Sequence, residues 1–124
     1  MRIDRTDRLA AALVAGLALA IAAGPASAAK PAYVGKWASN LAECRLPADT
    51  LDAPVHLGRT TYDQYETHCD FRNIVGGKGV WSMKARCVSA GDVSRLRLTI
   101  WATAKLVTLK WSDSKKPDNM VRCR

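Results

Sequence analysis

The chain has 124 residues, of which 48% are hydrophobic and 24% charged. This length fits one domain and excludes a second domain of ordinary size. The 19 Lys and Arg residues outnumber the 11 Asp and Glu residues, and the resulting formal charge of +8 favours acidic partners, anionic polymers or membrane surfaces.

Residues 1–28 have the features of a secretory signal peptide. Arg2, Arg5 and Arg8 precede fifteen apolar or small residues at positions 9–23, and the Ala-Ser-Ala of positions 26–28 offers a cleavage site. The run is shorter than the roughly 20 apolar residues of a membrane span, so an uncleaved anchor is the lesser alternative. We predict cleavage after Ala28 and export to the periplasm or out of the cell. The mature chain, residues 29–124, is then one domain without a transmembrane segment.

The mature chain keeps a strong positive charge. It carries 16 Lys and Arg against 9 Asp and Glu, a formal charge of +7. An exported protein meets envelope polymers and other proteins more readily than nucleic acid. We therefore expect an anionic envelope polymer or an acidic protein as partner, and nucleic acid is an unlikely one. The sequence gives no indication of oligomeric state.

Four cysteines, all in the mature chain, predict two disulfides, because even cysteine counts are typical of small exported domains. Zinc is the alternative, but gaps of 24, 17 and 35 residues leave no closely spaced pair of ligands. We favour Cys69–Cys87 and Cys44–Cys123, and the other two connectivities stay open. On the loop-entropy model the two bridges contribute roughly 3–4.5 kcal/mol each.

The first mature strand is predicted at residues 32–38, where Tyr33, Gly35 and Trp37 share one face. Asn40 lies three residues before Glu43, which is the spacing of a capping box and predicts one helical turn that delivers Cys44. The course of residues 45–64 cannot be derived from the pattern, apart from a short strand at residues 54–59.

Residues 67–87 read as a β-hairpin whose outer ends carry Cys69 and Cys87. Four residues, Gly-Gly-Lys-Gly at positions 76–79, form the predicted bend, since glycine takes positive φ without steric cost. Pairing the two cysteines places one set of side chains on the inner face. The predicted pairs are Phe71–Ala85, Asn73–Met83 and Val75–Trp81.

A two-residue connection at Ala90-Gly91 extends this register to a third strand. It predicts the pairs Cys87–Ser94, Ala85–Leu96, Met83–Leu98 and Trp81–Ile100. The following hairpin predicts Ile100–Val107, Leu98–Leu109 and Leu96–Trp111, and a last strand at residues 119–123 places Val121 and Cys123 inward. A sheet with one apolar face has to fold over or close. We predict an all-β fold, an antiparallel meander of about six to eight strands that forms a small barrel or a curled sheet.

The outer face of the same sheet carries a row of basic side chains. The register opposes Arg86 with Arg95 and Lys84 with Arg97, then Arg97 with Lys110, and it sets Trp101 against Leu106. Arg122 is predicted near Thr108 on this face. Because like charges opposed across strands are mildly destabilising, the row is either solvated or awaits an anion. The candidate binding residues are Lys84, Arg86, Arg95, Arg97, Lys110 and Trp101.

Signals for catalysis are few. His68 is predicted on the outer face, and all four thiols are expected to be oxidised, which removes a Cys–His nucleophile. Asp63, Glu66 and Asp70 lack the spacing of a metal loop. The glycines at positions 76–79 precede a strand, whereas a phosphate loop precedes a helix. We predict no catalytic residue, no metal and no cofactor, and hence a protein that is not an enzyme.

Two resemblances bear on the fold. The Gly-Lys-Trp of positions 35–37 is similar to the Gly-x-Trp that opens lipocalins and other calycin barrels. More of the chain resembles small exported proteobacterial proteins of unknown function that contain four cysteines. The elements that carry this resemblance are Trp37…Cys44, Cys69-Asp70-Phe71, Trp81…Cys87, Leu106…Trp111 and Arg122-Cys123. It implies export, disulfides and a β fold.

These features predict an exported domain that works by binding through its basic face. One alternative is a lipocalin-like carrier that holds a small ligand inside the barrel, although about eight short strands enclose little more than their own side chains. Another is an inhibitor of a cell-wall hydrolase, by analogy of size and class with small periplasmic lysozyme inhibitors. No inhibitory motif of that kind is present, so no residue is assigned to the role.

Overall fold

The computed structural model describes residues 29–124, and the predicted signal peptide at residues 1–28 lies outside the described part. Eight antiparallel strands, each paired with its neighbours in sequence, form a closed barrel in which β1 also pairs with β8. The all-β prediction is confirmed, and the sheet closes rather than staying open. The strands are β1 (Gly35–Ala38), β2 (Val55–Leu57), β3 (Thr61–Gln64), β4 (Thr67–Gly77), β5 (Val80–Ser89), β6 (Asp92–Ala102), β7 (Leu106–Trp111) and β8 (Asp118–Arg122).

The first strand begins at Gly35 and not at residue 32 as predicted, because the chain turns before it with a hydrogen bond from the N–H of Val34 to the carbonyl of Pro31. The predicted helical turn is present. A 3-10 turn, Glu43–Arg45, follows β1, and the side chain of Asn40 accepts a hydrogen bond from the backbone N–H of Glu43 at 3.0 Å. This turn positions Cys44 for its disulfide with Cys123, and Cys69 on β4 lies opposite Cys87 on β5 and is bonded to it. Both predicted disulfides are confirmed, and no free cysteine lies within residues 29–124.

Two tight turns set up the long central strands. Lys78-Gly79 joins β4 to β5 and Ala90-Gly91 joins β5 to β6, with positive φ at all four residues (54°, 88°, 48° and 88°). Such turns match the twist of the strands that they connect. The register predicted between β5 and β6 is confirmed at all four pairs from Cys87–Ser94 to Trp81–Ile100.

The register predicted between β4 and β5 is right as far as Phe71–Ala85 and wrong beyond Arg72. A β-bulge follows Arg72, with Asn73 at a φ of 53°, and Val75 then lies opposite Ser82 rather than Trp81. Gly76 makes this possible, because a Cβ at that position would lie 2.2 Å from the carbonyl oxygen of Val80. The extra residue moves the bend to Lys78-Gly79.

The register between β6 and β7 is displaced by two residues from the prediction. Ile100 lies opposite Leu109, because β6 continues to Ala102 before the chain turns. The Thr103 hydroxyl accepts a hydrogen bond from the N–H of Leu106 at 3.1 Å and fixes the later turn. A shift by two keeps the same faces, so Val107 and Leu109 are still buried.

On β8 the inward residue is Met120, whereas Val121 is only half-buried, so the predicted inward position of Val121 is wrong. Cys123 is buried as predicted. The prediction for Arg122 is also wrong, since Asn119 and not Arg122 lies by Thr108. Arg122 instead pairs with Trp37 on β1, with its guanidinium carbon 4.2 Å from the centre of the indole ring.

Arg122 connects the two strands at which the barrel closes, β1 and β8. It donates hydrogen bonds to the carbonyl oxygens of Ala32 (2.6 Å), Val34 (3.0 Å) and Ala104 (2.7 Å). Gly35 has a φ of 151°, and a Cβ there would lie 2.4 Å from the guanidinium, so glycine leaves the space in which Arg122 fits. Strand β8 is thereby held against the segment that precedes β1.

The barrel interior is filled with side chains. Trp37 is fully buried and donates its indole N–H to the carbonyl of Tyr33 at 2.8 Å, so its one polar atom is satisfied. The largest fully buried side chains are Trp37, Tyr33, Leu98, Ile100, Leu109, Val107 and Cys69. Within residues 29–124, no helix has the length and apolar character needed to cross a bilayer.

Candidate anion-binding groove

The basic residues of the outer face form two rows across the central strands. In the first row Arg72, Lys84 and Arg97 lie side by side on β4, β5 and β6, and in the second Arg86 lies opposite Arg95. Neighbouring strands are about 4.8 Å apart, and positions two residues apart on a strand are separated by roughly 7 Å. Five cationic side chains therefore start from a small patch of sheet, and all five are exposed.

These side chains surround a groove of about 750 Å³. Ala85 and Leu96 form part of its floor, the bulged residue Asn73 borders it on β4, and Ser112 borders it beyond β6. The Ser112 hydroxyl accepts a hydrogen bond from the backbone N–H of Arg97 at 3.0 Å, which fixes this edge. The residues that line the groove are Arg72, Asn73, Lys84, Ala85, Arg86, Arg95, Leu96, Arg97 and Ser112.

The positive charge of the groove is not balanced by ion pairs within the described part of the chain. The ion pairs within residues 29–124 are both made by His68, so none of the five cations contacts a carboxylate. Lys84 opposite Arg97 and Arg86 opposite Arg95 are like-charge cross-strand pairs, which are destabilising. A bound anion would remove this repulsion.

Next to the groove, His68 on β4 lies between two carboxylates. Its Nδ1 is 2.5 Å from an Asp63 oxygen, and its Nε2 is 3.2 Å from an Asp70 oxygen. The hydrogen bond that the protonated ring donates to Asp63, followed by the one that it donates to Asp70, raises the pKa of His68 above its usual 6.5. Asp70 is also the cross-strand neighbour of Arg86, but within residues 29–124 its ion pair is with His68 and not with Arg86.

Along the same strands the groove continues into a second hollow of about 230 Å³, with which it shares Asn73, Lys84 and Arg97. The added lining comes from Val75, Ser82, Met83, Leu98 and Thr99 and includes no further charge. One row further, Val80 and Trp101 lie opposite each other, 41% and 43% exposed. The outer face thus changes from cationic to apolar along β5 and β6.

Four of the six predicted binding residues line the groove, namely Lys84, Arg86, Arg95 and Arg97. Lys110 does not, because it lies opposite Thr99 and not Arg97, and its ammonium group donates to the carbonyls of Trp111 (2.9 Å) and Ser114. Trp101 lies opposite Thr108 rather than Leu106, beyond the second hollow. Both wrong pairings come from the two-residue displacement of β7.

Arg72 is the basic residue that the sequence prediction omitted. The Cys69–Cys87 pairing already set it opposite Lys84, and the alternation of side chains put it on the outer face, so the signal was present. The contribution of Asn73 could not be anticipated, since it depends on the bulge.

Residues 29–124 contain no group of three or more His, Cys, Asp or Glu side chains placed to hold a metal ion. All four cysteine sulfur atoms are in disulfides. What the site does offer is a concentration of hydrogen-bond donors and positive charge, chiefly guanidinium groups, whose planar geometry suits carboxylate and phosphate oxygens.

Fold and site together define a small disulfide-linked β-barrel with a basic groove on its outer face. No protein-family model, curated protein or solved structure matches the chain. The function therefore has to be argued from the site itself.

Proposed function

We propose that the chain is an exported, non-catalytic binding domain whose basic groove engages an anionic component of the cell envelope or an acidic protein. The single observation that carries this proposal is the groove itself, in which five cations share about 750 Å³ and no carboxylate of residues 29–124 lies within ion-pair distance of them. Maintaining opposed like charges costs stability, and an anion that bridges them offsets that cost.

The composition of the groove favours an anion-binding site over a merely solvated basic surface. Four of the five cations are arginines, whose guanidinium groups can each donate two parallel hydrogen bonds to one carboxylate or phosphate. A second source of support is convergence, because the five side chains stand around one groove and can contact one ligand from several directions.

The two disulfides bear on the compartment in which the protein folds. Two disulfides place the folded chain in an oxidising, non-cytoplasmic environment. A signal peptide at residues 1–28 and a periplasmic or secreted location are part of the proposal, and so is the choice of envelope components as partners.

The alternative of a lipocalin-like carrier receives little support from the interior, where Trp37, Leu98 and Ile100 are almost fully buried in a packed core. The two hollows described above both lie on the outer face. Inhibition of a cell-wall hydrolase stays a prediction and would use the same groove if the hydrolase presents an acidic surface.

The test compares two triple variants with equal loss of charge. One is Lys84→Glu/Arg95→Glu/Arg97→Glu in the groove, and the other is Lys30→Glu/Lys105→Glu/Arg124→Glu at basic residues that do not line it. Both are applied to an anionic matrix, heparin or a purified envelope polymer, and eluted with a salt gradient. Circular dichroism and thermal unfolding confirm that each variant is folded.

We expect the groove variant to elute at clearly lower salt than the control variant, because local charge density rather than net charge determines binding in a groove. Equal elution of the two variants would refute the proposal. Should the groove variant not fold, the same residues are changed to Gln, which removes charge without reversing it.

A further inference from the structure

We propose that the natural ligand of the groove is an anionic amphiphile, a lipid whose phosphate-bearing head lies among the arginines and whose apolar chain lies along the β5–β6 surface. This inference rests on the proposed function and narrows its ligand to one chemical class. It is carried by the order of side chains along two neighbouring strands.

On the outer face of β5 and β6, the cationic side chains lie toward one end. On β5 and β6 the cationic positions are Arg86 with Arg95 and Lys84 with Arg97, and the next opposed pair, Ser82 with Thr99, is uncharged. Lys110 borders Thr99, but its ammonium group is directed to the carbonyls of Trp111 and Ser114. An anionic group is therefore favoured at the first two pairs and not at the third.

Beyond the uncharged pair the surface becomes apolar. Val75 is 65% exposed beside Ser82, and Val80 and Trp101 form the next opposed pair with less than half of each exposed. Exposed apolar side chains that lie singly need no explanation, whereas a contiguous group next to a binding groove does. Val75 lines the hollow that continues from the groove, and Val80 and Trp101 lie one row beyond it on β5 and β6.

The spacing suits a lipid. Val80 and Lys84 are four positions apart on β5, and Arg97 and Trp101 are four positions apart on β6, which corresponds to about 13 Å along an extended strand. A ligand that spans both ends must carry its charge at one end and apolar matter roughly that far away. A uniformly charged polymer that followed the same path would have to bring charges onto the side chains of Val80 and Trp101, which offer no charged group to compensate the loss of hydration.

Three soluble probes separate the two ends of the ligand. Dihexanoyl phosphatidic acid, kept below its micelle concentration, has both head and chains. Glycerol 3-phosphate has the head alone, and dihexanoyl phosphatidylcholine has the same chains with a zwitterionic head. Binding to the full mature chain is measured by ¹H–¹⁵N NMR titration, in which the indole N–H of Trp101 reports on the apolar end.

We expect phosphatidic acid to bind at least about tenfold more tightly than either other probe and to shift the Trp101 indole signal, because only that probe contacts both ends. Trp101→Ser should weaken phosphatidic acid about tenfold and leave glycerol 3-phosphate unchanged. Leu41→Ser, which changes an exposed apolar residue away from the groove, is the matched control and should alter neither.

The outcomes separate this inference from the proposed function. If phosphatidic acid and glycerol 3-phosphate bind equally, or if Trp101 is unaffected, the amphiphile is refuted, while charge-dependent retention on the anionic matrix would keep the binding groove. If the groove and control variants are also retained equally, both proposals fail. The titrations use the unchanged chain first, so a poorly folding variant does not prevent the test.

Discussion

The contact between Arg122 and Trp37 should be one of the larger single contributions to stability. Replacing Arg122 by Ala removes the cation above the indole ring and three hydrogen bonds to backbone carbonyls. Ala32 and Val34 are half-buried, and losing the charged donor to each of their carbonyls costs about 1.5 kcal/mol. The cation–π contact adds about 1 kcal/mol, and Ala104 is exposed enough for water to replace the third bond.

The expected loss is therefore about 4 kcal/mol, a large part of the 5–15 kcal/mol that a domain of this size possesses. Urea unfolding with the disulfides intact measures it as a lower midpoint at unchanged slope. Arg122→Lys should cost about half as much, since an ammonium keeps the charge but not the planar set of donors. Arg124→Ala, at an exposed neighbouring position, is the control and should cost less than about 0.5 kcal/mol.

A double-mutant cycle with Gly35→Ala tests the geometry directly. Alone, the added Cβ meets the guanidinium of Arg122 and occupies an unfavourable φ, whereas after Arg122→Ala only the backbone cost is left. The cost of Gly35→Ala should fall by about 1 kcal/mol or more in the second background. A loss below about 1 kcal/mol for Arg122→Ala, or the same cost of Gly35→Ala in both backgrounds, would refute the reasoning.

Two further changes test other parts of the barrel. Ala90→Asn and Lys78→Asn each place a residue that tolerates positive φ at the first position of a tight turn. Each change should raise the free energy of unfolding by about 0.5–1 kcal/mol, and the two effects should add. A loss of stability in both variants would contradict the assigned turns. His68 has a raised pKa because of Asp63 and Asp70, so its stabilising effect is complete below the unfolded pKa of 6.5 and is lost as pH rises through the higher folded value. His68→Gln should flatten the pH dependence of stability in that window, and an unchanged profile would argue against the carboxylate contacts.

The fold class was predictable because the local signals agreed with one another. The Ala90-Gly91 turn and the alternation of Met83, Ala85 and Cys87 with polar residues specify a single register between β5 and β6. The disulfides were predictable for the same reason, since the hairpin already brought Cys69 opposite Cys87.

The errors have two physical sources. A bulge after Arg72 and the Thr103 turn each shift a register by a local interaction that alternation does not encode. Arg122 was misplaced because its position depends on barrel closure, which brings β8 next to β1 and into the space left by Gly35. Short-range pattern gives faces and turns, whereas contacts between the two ends of the chain require the closed structure.

The candidate site was predictable in outline. Opposed cations at Lys84 with Arg97 and Arg86 with Arg95 followed from the correct β5–β6 register. Their arrangement around a groove and the turn of Lys110 toward loop carbonyls did not, because both depend on side-chain conformations.

Closure of the barrel through β1 and β8 also determines when the domain can fold. Every pair of neighbouring strands forms from segments adjacent in sequence except this one, which joins the first strand to the eighth. A chain that crosses a membrane amino end first would deliver β1 long before β8, and neither Arg122 nor Cys123 could reach its partner until translocation was nearly complete. Until then the sheet would keep two unpaired edges, and Cys44 could form a wrong disulfide with Cys69 or Cys87, which would emerge before Cys123.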